Sequence, residues 1–395
     1  MNGRLPGAGD SETSLRVALV TETFPPEVNG VAMTLGRMAD GLRRRGHCVQ
    51  IIRPRQHPFD RLIEPSACTE MLVGGLPLPR YPGLHFGLPA RRTLLTAWHA
   101  ARPDIVHVAT EGPLGWSALA AARSLGIPVS SGYHTNFQAY SRHYGIGWLR
   151  GAINRYLRHF HNRTQATLVP SQALAEHLAQ DGFSNLILLA RGVDTGLFSP
   201  KQRSDELRRA WGAGPDTLVV THVGRIAPEK NLGLVIRGFD AIRQARPDAK
   251  LLFVGDGPQK SVLARRHPDH IHVGMRHGED LAAHYASADL FLFPSLTETF
   301  GNVTLEALAS GLGVVAYDCA AAGELIDDGI DGLLAPPGDE QRFIDNAVRL
   351  ATDPSLLSWL RQHAAARVAG LDWENIHDAL AGTFRTIVQV NSDRQ

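Results

Sequence analysis

The 395-residue chain is 44% hydrophobic, so it can bury a substantial core in each of two domains. Its three cysteines, Cys48, Cys68 and Cys319, are widely spaced and form no CxxC pair, so we expect neither a disulfide framework nor a cysteine zinc site. The first fourteen residues are polar and glycine-rich, and no later run approaches about 18 uninterrupted apolar residues, so we expect neither a signal peptide nor a membrane span, and a reducing cytoplasm fits.

Charge is distributed unevenly along a chain whose net charge is only +1. Residues 1–200 hold 20 Lys and Arg against 13 Asp and Glu, a balance of +7, whereas the remainder holds 20 against 26, a balance of −6. The N-terminal half is therefore the basic one.

Strand and helix patterns alternate through the first half of the chain, which is typical of parallel βα units. The region between Arg53 and Arg92 interrupts the alternation, because it is rich in Pro and Gly and long enough to indicate a functional loop. The predicted elements are a strand and loop over Leu15–Phe24, a helix over Val31–Arg45, strands at CVQIIRP, DIVHVAT, IPVSSGYHT and ATLVPS, and helices near Gly115–Leu125 and Tyr144–His161.

Two residues at predicted strand ends are candidate ligand contacts. Gly30, in the first βα loop (TFPPEVNGV), precedes a helix and allows close approach by a phosphate or sugar, although a turn glycine without a ligand is the more ordinary explanation of this residue alone. His134, in GYHTN, lies where a strand delivers its side chain to the ligand-binding edge of a sheet, although a lone histidine is usually structural. No GxGxxG or GxxxxGKS pattern is present, so a nicotinamide, flavin or P-loop site has little support.

The basic excess of the first half is concentrated in Ser141–Arg163, where five arginines and no acidic residue are mixed with Trp148, Tyr156 and Phe160. A helix of this composition can lie on anionic lipid headgroups. An arginine-rich solvated face that packs its aromatic side chains inward fits equally well. Nucleic acid has less support, because no recognised binding motif accompanies the charge.

A domain boundary is expected in Leu188–Gln202, after which a second set of βα units begins. Its predicted strands are TLVVTHVG, AKLLFVGDG, HIHVGM, DLFLFPS and GVVAY, with a helix between each pair. In HVGRIAPEKN, Arg225 and Lys230 lie between a strand that ends at Gly224 and a helix that begins near Asn231. A guanidinium fork and an ammonium point charge in that position favour a diphosphate ligand over ordinary surface charges.

Residues 294–311, PSLTETFGNVTLEALASG, place Glu298 on a loop and Glu306 about one turn inside a helix. Asn302 is the expected N-cap of that helix, which should stop at Gly311. Backbone N–H groups at Gly301, Asn302 and Val303 then point out of the carboxyl edge of the sheet, where an open parallel sheet binds its ligand and a helix N-terminus attracts phosphate. Two carboxylates beside an anion site suit a sugar nucleotide, because carboxylates accept hydrogen bonds from sugar hydroxyls.

These motifs together resemble a known family. The 294–311 segment resembles the E-x7-E signature of retaining glycosyltransferases, in particular glycosyltransferase family 4 with the GT-B fold, and GRIAPEKN, FPPEVNG and GYHT are similar to other segments in that family's usual order. GYHTNFQAYSRHYG and LPLPRYPGLHFGLP further resemble bacterial α-mannosyltransferases that use GDP-mannose and lipid acceptors, and related glycolipid synthases. The implied fold is α/β, with two doubly wound Rossmann-like domains that face each other across a cleft.

The resemblance implies a role for each candidate residue. Catalytic contacts would come from His134 near the anomeric carbon, Glu298 on hydroxyls of the transferred sugar, and Arg225 with Lys230 on the diphosphate. Glu306 would hold the ribose, and the region around Met275 and Arg276 would border the base. Donor-binding backbone groups would come from Gly30, Gly301, Asn302 and Val303. Two departures are Asn29-Gly30 in place of Gly-Gly, which bears on the donor loop, and GLGVVA without the usual proline.

The implied reaction is transfer of a hexose from a nucleotide sugar, mannose from GDP-mannose first and a UDP-sugar second, to a lipid acceptor, without a metal or other cofactor. A sugar-nucleotide epimerase or hydrolase would instead release the nucleoside diphosphate without an acceptor, and a non-catalytic binding module would bind the donor without turnover. We expect a tail at 1–14, an acceptor-side domain at 15–195, a donor domain at 196–372 and a final helix at 373–395. The periodicity of that helix does not show whether it packs back on the first domain. The expected location is cytoplasmic, on the inner face of the plasma membrane; the oligomeric state is not specified by the sequence.

Overall fold

A computed structural model describes residues 14–27, 29–56, 60, 68, 70–77, 85–134, 150–298 and 300–393. Contacts divide the chain into two compact units, each made of separate stretches. The first contains Met1–Gly132, Phe160–Leu168 and His377–Gln395, and the second contains Tyr133–His159 and Val169–Ile376. The domains expected from the sequence are continuous ranges, whereas these units are made of separate stretches, so the expected domain bounds remain a prediction.

The first sheet has seven strands in the order β3-β2-β1-β6-β7-β8-β9. Its strands are β1 (Arg16–Val20), β2 (Cys48–Pro54), β3 (Glu70–Val73), β6 (Ile105–Val108), β7 (Val129–Gly132), β8 (Ala166–Val169) and β9 (Leu186–Leu188). The register is parallel from β3 through to β8. Strands β1, β6 and β8 are almost entirely buried, which is why they are largely apolar in the sequence. The strand order reverses between β1 and β6.

Helices follow these strands as the alternation predicts. Two short strands, β4 (Gly75–Pro77) and β5 (His85–Gly87), form an antiparallel pair inside the Pro- and Gly-rich region. The helices of this half are α1 (Gly30–Arg44), α2 (Arg91–Ala100), α3 (Pro113–Ser124), α4 (Arg150–His161) and α5 (Gln172–Gln180).

The second sheet has six parallel strands in the order β12-β11-β10-β13-β14-β15. They are β10 (Val219–Val223), β11 (Lys250–Val254), β12 (Ile271–Gly274), β13 (Leu290–Phe293), β14 (Gly313–Tyr317) and β15 (Leu333–Ala335). Five of them match the predicted strands, whereas β15, only three residues long, carries no readable period. Apolar clusters on both faces cover this sheet, as the doubly wound class requires.

The helices around the second sheet are α6 (Asp205–Ala210), α7 (Leu232–Ala245), α8 (Lys260–Arg266), α9 (Gly278–Ala286), α10 (Asn302–Ala309), α11 (Ala320–Leu325), α12 (Glu340–Thr352) and α13 (Pro354–Val368). Helix α14 (Trp373–Ser392) closes the chain, and from His377 onward it belongs to the first unit. There Arg45 donates to Asp378 at 2.6 Å, and a Cβ on Gly41 would overlap the His377 ring. Among the helices that the structure describes, none combines the length and apolarity needed to cross a bilayer.

The expectation that the cysteines form no disulfide is wrong. Cys48 and Cys68 are bonded, with their Cα atoms 5.0 Å apart. The cause is strand register: Ile51 of β2 lies opposite Glu70 of β3, so Cys48 at the start of β2 meets Cys68 just before β3, although they are 20 positions apart. Sequence spacing alone does not reveal that register.

Candidate active site

The candidate site lies at the point in the second sheet where the strand order reverses. Strand β10 is central, with β11 and β12 on one side and β13 to β15 on the other. An open parallel sheet leaves a crevice at the carboxyl ends of its strands at such a point, and the loops after β10 and β13 border it. The predicted diphosphate and sugar ligands lie on these two loops.

The structure brings the two loops together through Lys230 and Glu298. The Lys230 ammonium contacts Oε1 of Glu298, and both side chains are largely shielded from solvent. Ser295 donates to the same Glu298 oxygen at 2.8 Å. The Lys230 ammonium also lies 5.7 Å from the centre of the Phe293 ring. One carboxylate therefore receives donors from both loops.

Glu229 ties the loops together a second time. Its buried carboxylate accepts from Arg225 at 3.4 Å, while the Arg225 side chain is 42% exposed. Its carbonyl oxygen accepts from Ser295 and Thr297, each at 3.4 Å. The Arg225 guanidinium is thus oriented by a buried acid and still reaches solvent. Sequence reasoning missed Glu229, although its position between Arg225 and Lys230 was a usable signal.

The start of α10 corrects one expectation. Asn302 was expected to be the N-cap, but it is the first helical residue, and Gly301 takes the cap position with φ +97° and no side-chain cap. That left-handed backbone suits glycine, and a Cβ there would lie 3.4 Å from Cγ of Glu298. The helix ends at Ala309, just before Gly311 as expected. The N-terminal turn of α10, with Asn302 and Val303, therefore begins beside Glu298.

Glu306 lies one turn further along α10. Its Oε2 accepts from the hydroxyl of Tyr285 at 2.9 Å. Tyr285 is fully buried on α9, and burial raises the pKa of its phenol well above the usual value, so it remains a donor at neutral pH. Met275 follows the edge strand β12 and is 44% exposed. Sequence analysis could not foresee Tyr285 as the partner of Glu306.

Backbone segments approach each other closely at the ends of β10 and β11. A Cβ on Gly255 would overlap the carbonyl oxygen of Gly224, and one on Gly257 would overlap that of Ile226. Gly255 and Gly257 also have φ of +143° and +157°. The VGDGP segment therefore serves close packing of two loops, which its glycines after a strand could have indicated.

His222 is the buried histidine of β10. Its Nδ1 lies 3.1 Å from the carbonyl oxygen of Leu292, and burial lowers its pKa to about 4. The ring is therefore neutral at physiological pH, with its hydrogen on Nδ1, because a carbonyl only accepts. It stacks on Phe293 at a centroid distance of 5.9 Å and supports the ring below the Lys230 ammonium.

His134 and Gly30 lie outside these two loops. His134 follows β7, and its Nδ1 lies 2.6 Å from Nη2 of Arg191. Gly30 is the first residue of α1, where the Asn29 side chain accepts from the amides of Val31 and Ala32 at 3.1 and 2.9 Å. A Cβ on Gly30 would meet no described atom within 4 Å, so no contact with the described residues requires glycine there.

The first sheet has a switch point of its own, between β1 and β6, and sequence analysis missed its acids. Glu22 follows β1 and Glu111 follows β6. The pKa of Glu22 is raised to about 7, chiefly by burial and also by the Glu111 charge, while hydrogen bonds from backbone N–H groups act in the opposite direction. Glu111 is 7% exposed and lies 3.0 Å from Nε2 of the fully buried His161. Acidic residues directly after predicted strands, in TET and ATEG, were the available signal.

The basic stretch Ser141–Arg163 is described only from residue 150, and residues 141–149 lie outside the described part. On α4, Phe160 is fully buried and meets Trp116 edge to face at 5.0 Å, whereas Tyr156 is 45% exposed. Arg158 donates to the carbonyl oxygen of Asp181 at 2.9 Å. Part of the stretch thus packs inward, and an exposed aromatic and basic face remains.

Comparisons with known proteins place this site in context. Residues 28–197 match the family model described as Glycosyltransferase Family 4, and residues 217–353 match the one described as Glycosyl transferases group 1. A GDP-mannose-dependent alpha-mannosyltransferase of Mycobacterium tuberculosis is 36% identical over 379 residues, covering 94% of this chain and 97% of that protein. A sulfoquinovosyl transferase of Arabidopsis thaliana is 33% identical and covers 75% of this chain and 59% of that protein.

The fold also matches solved structures. The sucrose-phosphate synthase of Thermosynechococcus elongatus superposes with a TM-score of 0.78 at 20% identity, covering 95% of this chain and 99% of that one. Both chains therefore share one fold of two Rossmann-like parallel sheets with flanking helices.

Proposed function

This chain belongs to glycosyltransferase family 4, with the GT-B fold, and is a hexosyltransferase; from that membership we propose that it transfers mannose from GDP-mannose to a lipid acceptor with retention of configuration. The support for the donor is the mycobacterial relative, which is aligned along nearly the whole of both chains. The lipid acceptor is supported by the same subgroup resemblance in GYHTNFQAYSRHYG.

The observation that carries the proposal is the convergence of Lys230 and Glu298 at the switch point of the second sheet. Departure of a nucleoside diphosphate builds negative charge on phosphate oxygens. The Arg225 guanidinium, the Lys230 ammonium and the first amides of α10 are groups that stabilise such charge without a metal. The expectation that no metal or cofactor takes part stays a prediction.

The Lys230–Glu298 pair gives the donor site a defined resting state. Each charge compensates the other before the donor binds, and Ser295 orients the carboxylate. A donor diphosphate then offers the ammonium a second anion, while Glu298 accepts from sugar hydroxyls. In this proposal Glu298 positions the sugar, and His134 contacts it close to the anomeric carbon.

A UDP-sugar-dependent glycolipid synthase is the second candidate. It is favoured by the Arabidopsis relative, a sulfoquinovosyl transferase at 33% identity. The two candidates share the diphosphate site and differ in the base and the sugar.

A panel of nucleotide sugars separates these candidates by thermal shift. A ligand at 100 times its dissociation constant stabilises the fold by roughly 2.7 kcal/mol, so GDP-mannose should give the largest shift. Mass spectrometry of products, with and without lipid, then distinguishes transfer from hydrolysis. Release of GDP and free mannose at one rate with and without lipid would overturn the transferase proposal in favour of a hydrolase.

We also propose that Ser141–Arg163 rests on an anionic membrane surface at the inner face of the plasma membrane. The support is the exposed Tyr156 and Arg155 on α4 together with the absence of acids in this stretch. A lipid acceptor would be extracted at that surface.

A further inference from the structure

Three arginines are buried in the described part of the chain, and they differ in their partners. Arg53 and Arg208 each contact an aspartate, at 2.6 and 3.1 Å. Arg191 is only 8% exposed, and no carboxylate among the described residues pairs with it. Its hydrogen bond to the described part of the chain runs from Nη2 to Nδ1 of His134, at 2.6 Å.

A buried guanidinium without a carboxylate is energetically unfavourable. Burial lowers the pKa of Arg191 to about 10, so the group stays charged at neutral pH. Residues 135–149, which follow His134 in the sequence, contain no Asp or Glu that could supply a partner. Buried charges in folded proteins are normally paired, and one that lacks a pair is a candidate for binding an external anion.

The position of Arg191 is set by the backbone that follows it. The amide of Val193 donates to the carbonyl oxygen of Leu371 at 2.8 Å. A Cβ on Gly192 would lie 2.9 Å from the backbone of Trp373, so this segment is held closely against the start of α14. The guanidinium is therefore presented from a fixed backbone.

The contact also defines the hydrogen position on His134. A guanidinium is only a donor, so Nδ1 of His134 accepts and the ring hydrogen is on Nε2. An imidazole with Nε2–H donates to an oxygen, and a guanidinium fork binds two oxygens of one anion. Both groups then favour the same ligand chemistry.

We propose that Arg191 and His134 form an oxyanion-binding subsite that takes a phosphate or carboxylate group of a substrate, with Arg191 also positioning His134 as an Nε2–H donor. The identity of the substrate rests on the proposed function, whereas the anion site itself does not. The oxyanion belongs either to the donor diphosphate or to an anionic lipid acceptor.

Titration with inorganic phosphate tests the anion site without assuming any activity. The titration is done by calorimetry in a Lys230→Ala background, which removes the ammonium of the other anion site. Arg191→Met should weaken phosphate binding at least tenfold, and Arg191→Lys should retain part of that binding. The control variant Arg237→Met, at an exposed position of α7, should leave phosphate binding unchanged. Equal phosphate affinity with and without Arg191 would overturn the proposal.

Thermal unfolding without ligand separates binding from a structural role. Arg191→Met removes a buried charge that has no carboxylate partner among the described residues, so its melting temperature should equal or exceed that of the native chain. Arg208→Met, which leaves Asp289 without one of its partners, should melt lower. A lower melting temperature for Arg191→Met, together with phosphate binding by Arg191→Met equal to that of the native chain, would assign Arg191 a structural role and reject the subsite.

Steady-state kinetics with GDP-mannose identify which substrate carries the oxyanion. Tenfold weaker GDP binding by Arg191→Met points to the donor, whereas unchanged GDP binding with a raised KM for anionic but not neutral lipid points to the acceptor. Nitrogen-15 NMR of His134 should show the Nε2–H form in the native chain and a tautomer mixture in Arg191→Met. A native chain that binds phosphate through Arg191 yet transfers nothing would overturn the proposed function and leave the anion site standing.

Discussion

The loops at the switch points of the two sheets carry different charged groups, because among the described residues cations are present beside the acids only in the second sheet. Beyond β1 and β6 of the first sheet lie Glu22 and Glu111, whereas Arg225 and Lys230 follow β10 of the second. The two halves of the chain have the reverse balance, +7 for residues 1–200 and −6 for the remainder. The net charge of each half of the chain therefore does not give the charge at its ligand-binding edge. That charge has to be determined from the residues that follow the strands.

The two switch points also differ in how their charges are compensated. The second holds ion pairs, Lys230 with Glu298 and Arg225 with Glu229. The first holds a desolvated acid, Glu22, whose pKa is raised to about 7 mainly by burial. An ion pair can exchange one anion for another when a ligand arrives, while a desolvated acid makes stability depend on pH.

Removing a cation from the second switch point should have the largest effect. Lys230→Ala deletes a group that we assign to the leaving diphosphate and leaves Glu298 without its ammonium. We expect the rate of mannosyl transfer to fall roughly 100-fold or more, the order found when one charge-stabilising donor is removed from an active site. Transfer from GDP-mannose, measured by mass spectrometry, checks this.

Lys201→Ala is the matched control for that experiment. Lys201 is exposed on a short turn at Pro200–Gln202, outside the loops after β10 and β13, so its removal should leave the rate within about twofold. Equal rates for Lys230→Ala and Lys201→Ala would show that the cations of the second switch point do not serve transfer.

A pair of glycines, one at each switch point, tests how rigid the two regions are. A Cβ on Gly255 would overlap the carbonyl oxygen of Gly224, and its φ of +143° is unsuited to alanine. A Cβ on Gly112 would overlap the Glu22 carboxylate, the mobile end of a side chain. We expect Gly255→Ala to cost about 3 kcal/mol or more in unfolding free energy, and Gly112→Ala about 1 kcal/mol.

Urea unfolding of both variants, and of each in a Glu22→Ala background, measures this difference. Removing the Glu22 carboxylate should reduce the cost of Gly112→Ala and leave the cost of Gly255→Ala unchanged, because only neighbouring sites couple. Equal costs for the two glycines would mean that the backbone approach in the second sheet is as adaptable as a side chain.

The sequence predicts the sheets well because parallel strands buried on both faces are continuous apolar runs. Val219–Val223 and Leu290–Phe293 are of this kind, and the loops after them contain Arg225, Lys230 and Glu298 as expected. The sequence does not predict the short strand Leu333–Ala335, because three residues are too few to show a hydrophobic periodicity.

Contacts that depend on register or strand order were not predictable. Cys48 and Cys68 meet because β2 and β3 are neighbours, and Arg191 meets His134 although 57 positions separate them. The cap of α10 was misassigned by one residue, because the left-handed φ of Gly301 is a backbone property. The spacing of residues in the sequence identifies candidate site residues, but the order and register of the strands determine which of them are in contact.

The acid of the first switch point should make stability depend on pH. The folded-state pKa of Glu22 is about 7 against an ordinary value of 4.5, so its contribution is fully present below pH 4.5 and is lost as pH rises through 7. Glu22→Gln removes this loss. The variant should match the native chain at pH 4.5 and exceed it at pH 8 by up to about 3 kcal/mol, since each pKa unit is about 1.4 kcal/mol.

Urea unfolding at four pH values between 4.5 and 8 checks the Glu22 prediction. Glu176→Gln, on an exposed position of α5, should track the native chain throughout. A Glu22→Gln curve parallel to the native one would mean that the first switch point is solvated, and the contrast in compensation between the two sheets would disappear.

The smallest expected effect concerns the basic stretch of the first half and its binding to anionic membranes. If it serves a membrane surface, Arg155→Glu on the exposed face of α4 should weaken binding to anionic vesicles roughly tenfold, because each basic residue near such a surface contributes about 1 kcal/mol. Co-pelleting with phosphatidylserine vesicles measures this, and Arg265→Glu on exposed α8 provides the same charge change elsewhere. An equal loss of vesicle binding in both variants would indicate a response to the net charge of the protein alone. The basic stretch of the first half would then not be a specific membrane-binding surface.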